Sequence, residues 1–310
     1  MIYLKKFQLL TGEACREAVA GVQMNETHDE EYPAYVFSEV ELEQIDFENI
    51  TIFYGGNGSG KSSLLNVIAE KIGVLRKKEY VKTVFFEQYI EELCEFEKIR
   101  GYDFLRNKCK FLSSDDIFEH ILTIREDNRE IQSNKYEEKD FHFVVNAPGG
   151  GYKAVYPEGI RINFEDLEVH RAIEQLDRFT NARKKTQKQF VRSRAGEMQR
   201  QFSNGENALM FFDKEIEKNA LYLLDEPENS MSPKFQLELK TLIEDSVRYK
   251  NCQFVIATHS PFILSLFDAK IYNLDATPVT VERWYELENV RYYYDFFKMN
   301  RDFFASRIIN

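Results

Sequence analysis

A lysine and a serine at the end of a glycine-rich turn are the residues whose chemistry is easiest to predict in this chain. Residues 55–62 read GGNGSGKS and fit the pattern G-x-x-x-x-G-K-[ST]. Glycines let backbone amides approach a phosphate closely, and the start of a helix adds unpaired amides and a positive dipole end. Lys61 would neutralise the β- and γ-phosphates of a nucleotide, and the Ser62 hydroxyl would bind Mg²⁺. The turn therefore predicts a phosphate-binding loop.

The elements on either side of the turn are those that such a loop needs. Residues 50–54 alternate in the manner of a strand, and Leu64, Leu65, Ile68 and Ile72 recur at helical spacing. A strand, a glycine turn and a helix therefore follow one another. The candidate nucleotide ligands of this segment are Gly55, Gly56, Asn57, Gly58, Ser59, Gly60, Lys61, Ser62 and Ser63.

Two carboxylates end a second apolar segment, which reads LYLLDEPE over residues 221–228. The run is typical of a buried strand, and Pro227 stops further pairing. Open α/β sheets bind ligands at the carboxyl ends of their strands. Asp225 is therefore a candidate ligand of Mg²⁺ through its water shell, and Glu226 is a candidate base for an attacking water.

Two more polar side chains follow predicted strands. His259 comes after the apolar run at residues 253–257, and Gln88 comes after residues 80–87, which are rich in β-branched and aromatic side chains. At a strand end beside the phosphate loop, Gln88 could contact the γ-phosphate and Mg²⁺. A lone histidine is usually structural, but this one follows a strand end in the same way as the two carboxylates.

Length and composition limit the classes of protein to consider. The chain has 310 residues, 43% of them hydrophobic and 30% charged, with a net charge of −11. This charge argues against nonspecific nucleic-acid binding over the whole surface. No apolar run is long enough for a membrane span, and no signal-peptide core follows the first residues. Cys15, Cys94, Cys109 and Cys252 show no metal-binding spacing, so we expect reduced thiols in a cytoplasmic protein.

The remaining segments predict a β-rich start and an unusual middle. Alternation over residues 1–10 and 35–53 indicates strands of an N-terminal lobe. Tyr32, Tyr35 and Phe37 either stack on an adenine or lie on a sheet face. Residues 89–199 differ from the rest: a helical segment is followed by two short strands that flank APGGG, which we interpret as a hairpin.

A basic stretch ends this middle region. Residues 178–200 hold one acid, Glu197, and eight basic side chains: Arg178, Arg183, Lys184, Lys185, Lys188, Arg192, Arg194 and Arg200. The stretch either binds nucleic-acid phosphates or an acidic partner, or it is a solvated helix.

The order of these motifs, with FSNGE at residues 202–206 between the phosphate loop and the carboxylates, resembles that of ABC-type ATPases. More narrowly, the chain is similar to stand-alone, non-transporter AAA-family ATPases of bacteria, related to the heads of SMC and recombination-repair proteins. The resemblance implies an α/β P-loop NTPase fold: a mixed central sheet with flanking helices, a β-rich N-terminal lobe and an inserted helical and hairpin subdomain. The predicted head comprises residues 1–88 and 200–310, and the predicted insert residues 89–199.

The resemblance also implies roles and partners. Ser203 and Gly205 would face the γ-phosphate bound by a second subunit, and Gln88 would be the Q-loop residue. Asp225 and Glu226 would be the metal and general-base pair, and His259 the switch histidine. The cofactors would be ATP and Mg²⁺, and the partner a second copy in an ATP-dependent homodimer.

Three functions remain open at this stage. The first is an ATPase that passes its conformational change to an effector protein, for example a nuclease in a defence or repair system. The second is an ATPase stimulated by DNA or RNA bound at residues 178–200, and the third a nucleotide-dependent scaffold without useful turnover. Aromatic residues near the C-terminus, from Tyr292 to Phe304, are expected to pack on the core, with a partner-binding patch as the alternative.

Overall fold

The computed structural model describes residues 2–10, 33, 36–37, 40–74, 86, 89–91, 94–98, 108–136, 142–145, 152–155 and 203–305. The chain divides into two compact units, Met1–His120 with Phe202–Asn310, and Ile121–Gln201. In chain order the elements are β1 (Leu4–Leu9), β2 (Gln44–Asp46), β3 (Ile50–Tyr54), α1 (Lys61–Lys71), β4 (Cys94–Lys98), β5 (Cys109–Ser113), α2 (Ser114–Tyr136), β6 (His142–Val145), β7 (Tyr152–Val155), α3 (Asn204–Glu215), β8 (Leu221–Asp225), α4 (Pro233–Lys250), β9 (Gln253–Ala257), α5 (Pro261–Leu264), β10 (Lys270–Asn273), β11 (Thr280–Glu282), α6 (Glu288–Met299) and α7 (Arg301–Ala305).

The larger unit is built on a six-stranded sheet in the order β11-β10-β3-β9-β8-β5. Neighbouring strands run parallel, except that β10 and β11 are antiparallel. Every residue of β3, β8 and β9 is buried. Continuous apolar strands of this kind are typical of parallel sheets covered by helices on both faces. The predicted mixed α/β sheet is confirmed, and parallel strands place the ends of β3, β8 and β9 at one edge.

A second, three-stranded antiparallel sheet has the order β2-β1-β4. It confirms the strand predicted for residues 1–10 and, over residues 44–46, a part of the strands predicted for residues 35–53. The strand prediction is wrong at Val36 and Phe37, which are helical. Phe37 is buried in the hydrophobic core, so it packs structurally instead of stacking on a ligand, whereas Tyr32 and Tyr35 lie outside the described residues.

The side chain of Gln253 joins this second sheet to the central one. It is fully buried, and its Oε1 accepts hydrogen bonds from the backbone amides of Tyr3 (2.7 Å) and Leu4 (2.9 Å). Its Nε2 donates to the carbonyl oxygens of Leu4 (2.9 Å) and Glu48 (2.9 Å). One amide at the start of β9 therefore pairs with four backbone groups, which belong to Tyr3, Leu4 and Glu48.

We expect Gln253→Leu to lower the free energy of unfolding by at least about 3 kcal/mol, because each buried backbone group left unpaired costs about 1–3 kcal/mol. Urea denaturation of the two proteins measures the difference. Gln44→Leu is the control, because the Gln44 amide is exposed on β2, and its expected effect is within about 0.5 kcal/mol. A loss below about 1 kcal/mol for Gln253→Leu would contradict the assignment of these bonds.

Residues 80–87, predicted as a strand, lie outside the described residues except for Phe86, where the prediction is wrong. Phe86 is helical, and so are Tyr89 and Ile90. All three are buried, at the i, i+3, i+4 spacing of one helix face. The density of aromatic and β-branched side chains therefore indicated burial correctly. It wrongly predicted strand spacing, whereas the buried residues recur at helical spacing. Gln88 itself lies outside the described residues.

The C-terminal aromatic residues do not pack on the core, so that expectation is also wrong. In α6, Leu287 at the N-cap and Val290 are buried, whereas each residue from 291 to 299 is exposed. Within α6 and α7, the large apolar and aromatic side chains that are half or more exposed are Tyr292, Tyr293, Tyr294, Phe296, Phe297, Met299, Phe303 and Phe304.

The smaller unit contains the later part of α2 and a hairpin. Strands β6 and β7 pair antiparallel, from His142 opposite Val155 to Val145 opposite Tyr152, which confirms the predicted hairpin. Strands β4 and β5 belong to the predicted insert but pair with β1 and β8 of the larger unit. The separate insert over 89–199 stays a prediction, and the basic stretch 178–200 lies outside the described residues.

Two further features limit the kinds of site to consider. Among the described residues, no helix is long and apolar enough to cross a membrane. Cys94, Cys109 and Cys252 are buried free thiols, and burial raises the pKa of Cys109 and of Cys252. A buried thiol with a raised pKa is a poor nucleophile, so Cys109 and Cys252 fit the expected reduced thiols.

Candidate nucleotide-binding and hydrolysis site

The glycine turn joins the end of β3 to the start of α1 and takes the shape of an anion-binding loop. Gly58 and Gly60 have φ angles of 85° and 89°, a region that other residues rarely adopt. Gly60 is the N-cap of α1, and no side chain among the described residues caps this helix end. Its first amides are therefore left for a ligand, and the helix dipole favours a negatively charged one.

Lys61 is held inside this loop. Its side chain is only 4% exposed, and its Nζ donates to the carbonyl oxygens of Gly55 (2.8 Å) and Gly56 (2.7 Å). A second contact comes from Asp275, two residues past the end of β10: its carboxylate accepts a hydrogen bond from the Gly56 amide at 2.9 Å. The ammonium group is thus held inside the turn, against the carbonyl oxygens of its first two glycines.

Ser62 meets Asp225 across the sheet edge. The Ser62 Oγ donates to Asp225 Oδ1 at 2.8 Å, and Asp225 is the last residue of β8 and is buried. Among the described residues, no group of three or more His, Cys, Asp or Glu side chains could hold a metal by itself. Mg²⁺ commonly uses one or two protein oxygens, several waters and the phosphates of a nucleotide. The Ser62 hydroxyl and the Asp225 carboxylate therefore fit Mg²⁺, and the glycine turn fits the phosphates of the nucleotide.

Glu226 is the next residue and has an unusual backbone. Its φ angle is 47°, and its amide donates to the carbonyl of Ala257 at 2.9 Å, at the end of β9. Its Oε2 accepts from Asn229 Nδ2 at 2.9 Å. A positive φ at a non-glycine residue persists only where the surrounding structure holds it. The carboxylate is therefore fixed at the strand edge and stays partly exposed.

His259 lies two residues past β9 and faces two carboxylates. Its Nδ1 is 3.7 Å from Glu226 Oε1 and 3.9 Å from Glu228 Oε1. The structure thus brings the predicted histidine to the predicted base. Glu228, by contrast, was missed by the sequence reasoning, although a third carboxylate three residues beyond Asp225, at the same strand end, was a signal that could have found it.

Ser203 and Gly205 begin α3. The Ser203 Oγ accepts from the amide of Glu206 (3.3 Å), and the Glu206 carboxylate accepts from the Ser203 amide (2.9 Å), which forms a capping box. The Glu206 carboxylate accepts hydrogen bonds from the Ser203 amide and also from the Ser203 hydroxyl, and these bonds hold the pKa of Glu206 below its usual value. A Cβ on Gly205 would lie 2.5 Å from the Phe235 ring, so only glycine lets α3 and α4 approach this closely. Within the described residues, no hydrogen bond joins Ser203 or Gly205 to the phosphate loop.

Sequence comparisons agree with this geometry. A sequence model of the ABC transporter family matches residues 42–229, which include the phosphate loop, the start of α3 and all three carboxylates. A second model, of the AAA ATPase domain, matches residues 197–264 and so includes His259. No curated protein sequence matches the chain.

Solved structures of low sequence identity are similar in part. The SMC head domain from Thermotoga maritima is 12% identical, with a TM-score of 0.37, over 91% of this chain and 99% of that one. A nucleotide-free ATP-binding cassette from an ABC transporter is 14% identical, with a TM-score of 0.38, over 88% of both chains. A dimeric ATP-binding cassette bound to ADP and Pi is 13% identical, with a TM-score of 0.34, over 78% and 88%.

Proposed function

The chain belongs to the ABC transporter family and is an ATP-hydrolysing P-loop enzyme, and from that premise we propose that two copies meet head to tail to complete its ATP sites. The observation that carries the proposal is the 2.8 Å bond from Ser62 to Asp225. It joins the phosphate loop to the strand end that also bears Glu226. One chain thus contributes the phosphate loop, the metal ligands and a base, whereas Ser203 and Gly205 begin a different helix.

The first part of the proposal concerns ATP binding. The amides at the start of α1 and the Lys61 ammonium would contact the β- and γ-phosphates. Ser62 and Asp225 would hold Mg²⁺, with Gln88 as a further ligand. Bound there, Mg²⁺ supplies positive charge against the phosphate oxygens. Lys61 bonds the carbonyl oxygens of its own loop at present, so phosphate oxygens would replace these acceptors.

The second part concerns hydrolysis. Glu226 would accept a proton from the water that attacks the γ-phosphorus, since its carboxylate is partly exposed and its backbone is fixed by Ala257. His259 lies close enough to Glu226 to orient that carboxylate or the water. As the water oxygen bonds to the γ-phosphorus, the bond from that phosphorus to the β–γ bridging oxygen breaks and ADP leaves with the bridging oxygen. The released phosphate keeps the oxygen of the water, and Glu226 returns the proton to solvent or product.

The third part concerns the second copy. The start of α3 is the positive end of a helix dipole, which suits a γ-phosphate. Because no hydrogen bond joins Ser203 or Gly205 to the phosphate loop within the described residues, we assign these groups to the ATP held by the partner. ATP binding then favours the dimer, and hydrolysis favours its release.

Mixing two inactive variants tests whether each site uses two chains. Lys61→Ala damages the phosphate loop and Ser203→Arg fills the start of α3, so we expect each alone to be inactive. In a mixed dimer one site takes the intact loop and the intact α3, and a 1:1 mixture should recover about a quarter of the wild-type ATP turnover. A mixture that stays inactive, while Ser203→Arg still binds ATP, would contradict the head-to-tail site.

An effector protein remains part of the proposal. The support for it is the exposed aromatic surface of α6 and α7, since monomeric proteins rarely expose a contiguous apolar patch this rich in Tyr and Phe. An effector bound there would sense the nucleotide state through α6, whose first turn contacts the central sheet: the amide of Asn289 donates to Tyr54 Oη at 3.3 Å, and Tyr54 is the last residue of β3 before the loop.

Nucleic-acid stimulation remains a prediction, because its support is the charge of residues 178–200, which lie outside the described residues. The scaffold alternative is disfavoured, since the chain is an ATPase and keeps both Glu226 and His259 at the strand edge.

A further inference from the structure

Glu228 is a buried carboxylate, and one of its oxygens accepts three hydrogen bonds. It is 4% exposed, and its Oε1 accepts hydrogen bonds from the Thr258 hydroxyl (2.5 Å), the His259 amide (3.3 Å) and the Ser260 amide (3.3 Å). All three donors belong to the segment that follows β9. Glu228 lies in the loop after β8, and its Oε1 therefore holds the segment 258–260, which includes His259, in place.

The other oxygen of this carboxylate is costly to bury. Within the described residues, Glu228 Oε2 has no hydrogen-bond partner. Burial raises the pKa of the carboxyl, and the hydrogen bond from Thr258 opposes that rise. An apolar side chain of similar size would avoid this desolvation, so the carboxylate is a poor choice for packing alone.

The imidazole of His259 lies between this carboxylate and the candidate base. Its Nδ1 is buried and has no hydrogen-bond partner among the described residues, at 3.7 Å from Glu226 Oε1 and 3.9 Å from Glu228 Oε1. A shift of less than about 1 Å would bring it within hydrogen-bond distance of either. The position of the 258–260 backbone therefore decides how the imidazole meets Glu226.

We propose that Glu228 is a positioning residue for ATP hydrolysis, which acts by anchoring residues 258–260 and thereby sets His259 against Glu226. The inference rests on the proposed roles of Glu226 and His259. Because Glu228 does not touch the phosphate loop through any hydrogen bond of the described residues, its effect should fall on the chemical step and leave ATP binding unchanged.

Paired variants of Thr258 and Glu228 test this role. Glu228→Gln should lower kcat about tenfold or more, the loss expected for one charge-assisted hydrogen bond, with KM for ATP within about twofold. Thr258→Val removes the hydroxyl at nearly constant shape and should lower kcat in the same way. Thr258→Ser keeps the hydroxyl and should restore kcat towards the wild-type value. Equal kcat for the Val and Ser variants would overturn the proposal.

A double-mutant cycle separates positioning from general damage. If Glu228 acts through His259, then Glu228→Gln should add no further loss of kcat to His259→Ala. A full additional loss in the double variant would overturn the inference while leaving the ATPase proposal intact. Wild-type turnover by His259→Ala would instead remove the role of His259, and with it that of Glu228. If Glu228→Gln fails to fold, the same cycle with Thr258→Val decides the question.

Discussion

Glu226→Gln is expected to bind ATP with an affinity near that of the wild type and to hydrolyse it at least about a hundredfold more slowly. An amide cannot accept the proton of the attacking water, and general bases contribute about 10²–10⁴-fold to the rate. The replacement keeps the local structure, since the glutamine carbonyl can still accept from Asn229 and the backbone bond to Ala257 is unaffected. With hydrolysis blocked, Mg-ATP should hold the two copies together.

Light scattering with and without Mg-ATP, together with single-turnover hydrolysis, measures both effects in one preparation. The matched control is Glu238→Gln, a carboxylate on α4 that is partly exposed and lies 3.8 Å from Lys234. Glu238→Gln should hydrolyse ATP at the wild-type rate and should have the same solution mass as the wild type, with and without Mg-ATP. If Glu226→Gln hydrolyses ATP at the wild-type rate, another group is the base. If it binds ATP without any change in mass, an ATP-dependent homodimer is wrong.

Lys61→Ala is expected to weaken ATP binding by at least about a hundredfold. Lys61 is the one basic residue of the loop sequence at residues 55–62, and its ammonium is held inside the turn. Hydrogen bonds between ammonium and phosphate are charge-assisted. Each contributes more than a neutral bond, especially where water is excluded. Calorimetric titration with Mg-ATP measures the loss.

Lys71→Ala is a closely matched control for this variant. Lys71 ends the same helix, and its Nζ also donates to two backbone carbonyl oxygens, those of Ile90 (2.8 Å) and Glu91 (3.0 Å). Lys71→Ala removes one positive charge and two hydrogen bonds to backbone carbonyl oxygens, as Lys61→Ala does, but at the other end of the helix from the glycine turn. We expect wild-type ATP affinity for it. Similar affinities for the two variants would mean that Lys61 does not contact the nucleotide.

The failed predictions have a common physical origin. Residues near Val36 were assigned from alternation, and residues near Phe86 and near the C-terminus from the density of apolar and aromatic side chains. That density signals burial in a core or at an interface, but it does not determine the backbone period or which surface covers the side chains. Phe86 is buried yet helical, and the aromatic side chains of α6 are exposed although their composition suggested a core.

The successful predictions depend on local patterns. The turn at Gly55, the strand that ends at Asp225 and the helix that begins at Lys61 each occupy a few consecutive residues. Glycine torsions, strand burial and helix capping act at that range, so the sequence by itself determined these elements and the types of side chain at their ends.

Contacts between distant segments were decided by tertiary structure alone. The bond from Ser62 to Asp225 and the three donors on Glu228 depend on the order β3-β9-β8 within the sheet. Strand order is set by how the whole chain buries its apolar faces, and no short segment encodes it. The sequence thus determined which groups could do chemistry, and the sheet determined that Glu226, Glu228 and His259 meet at one edge.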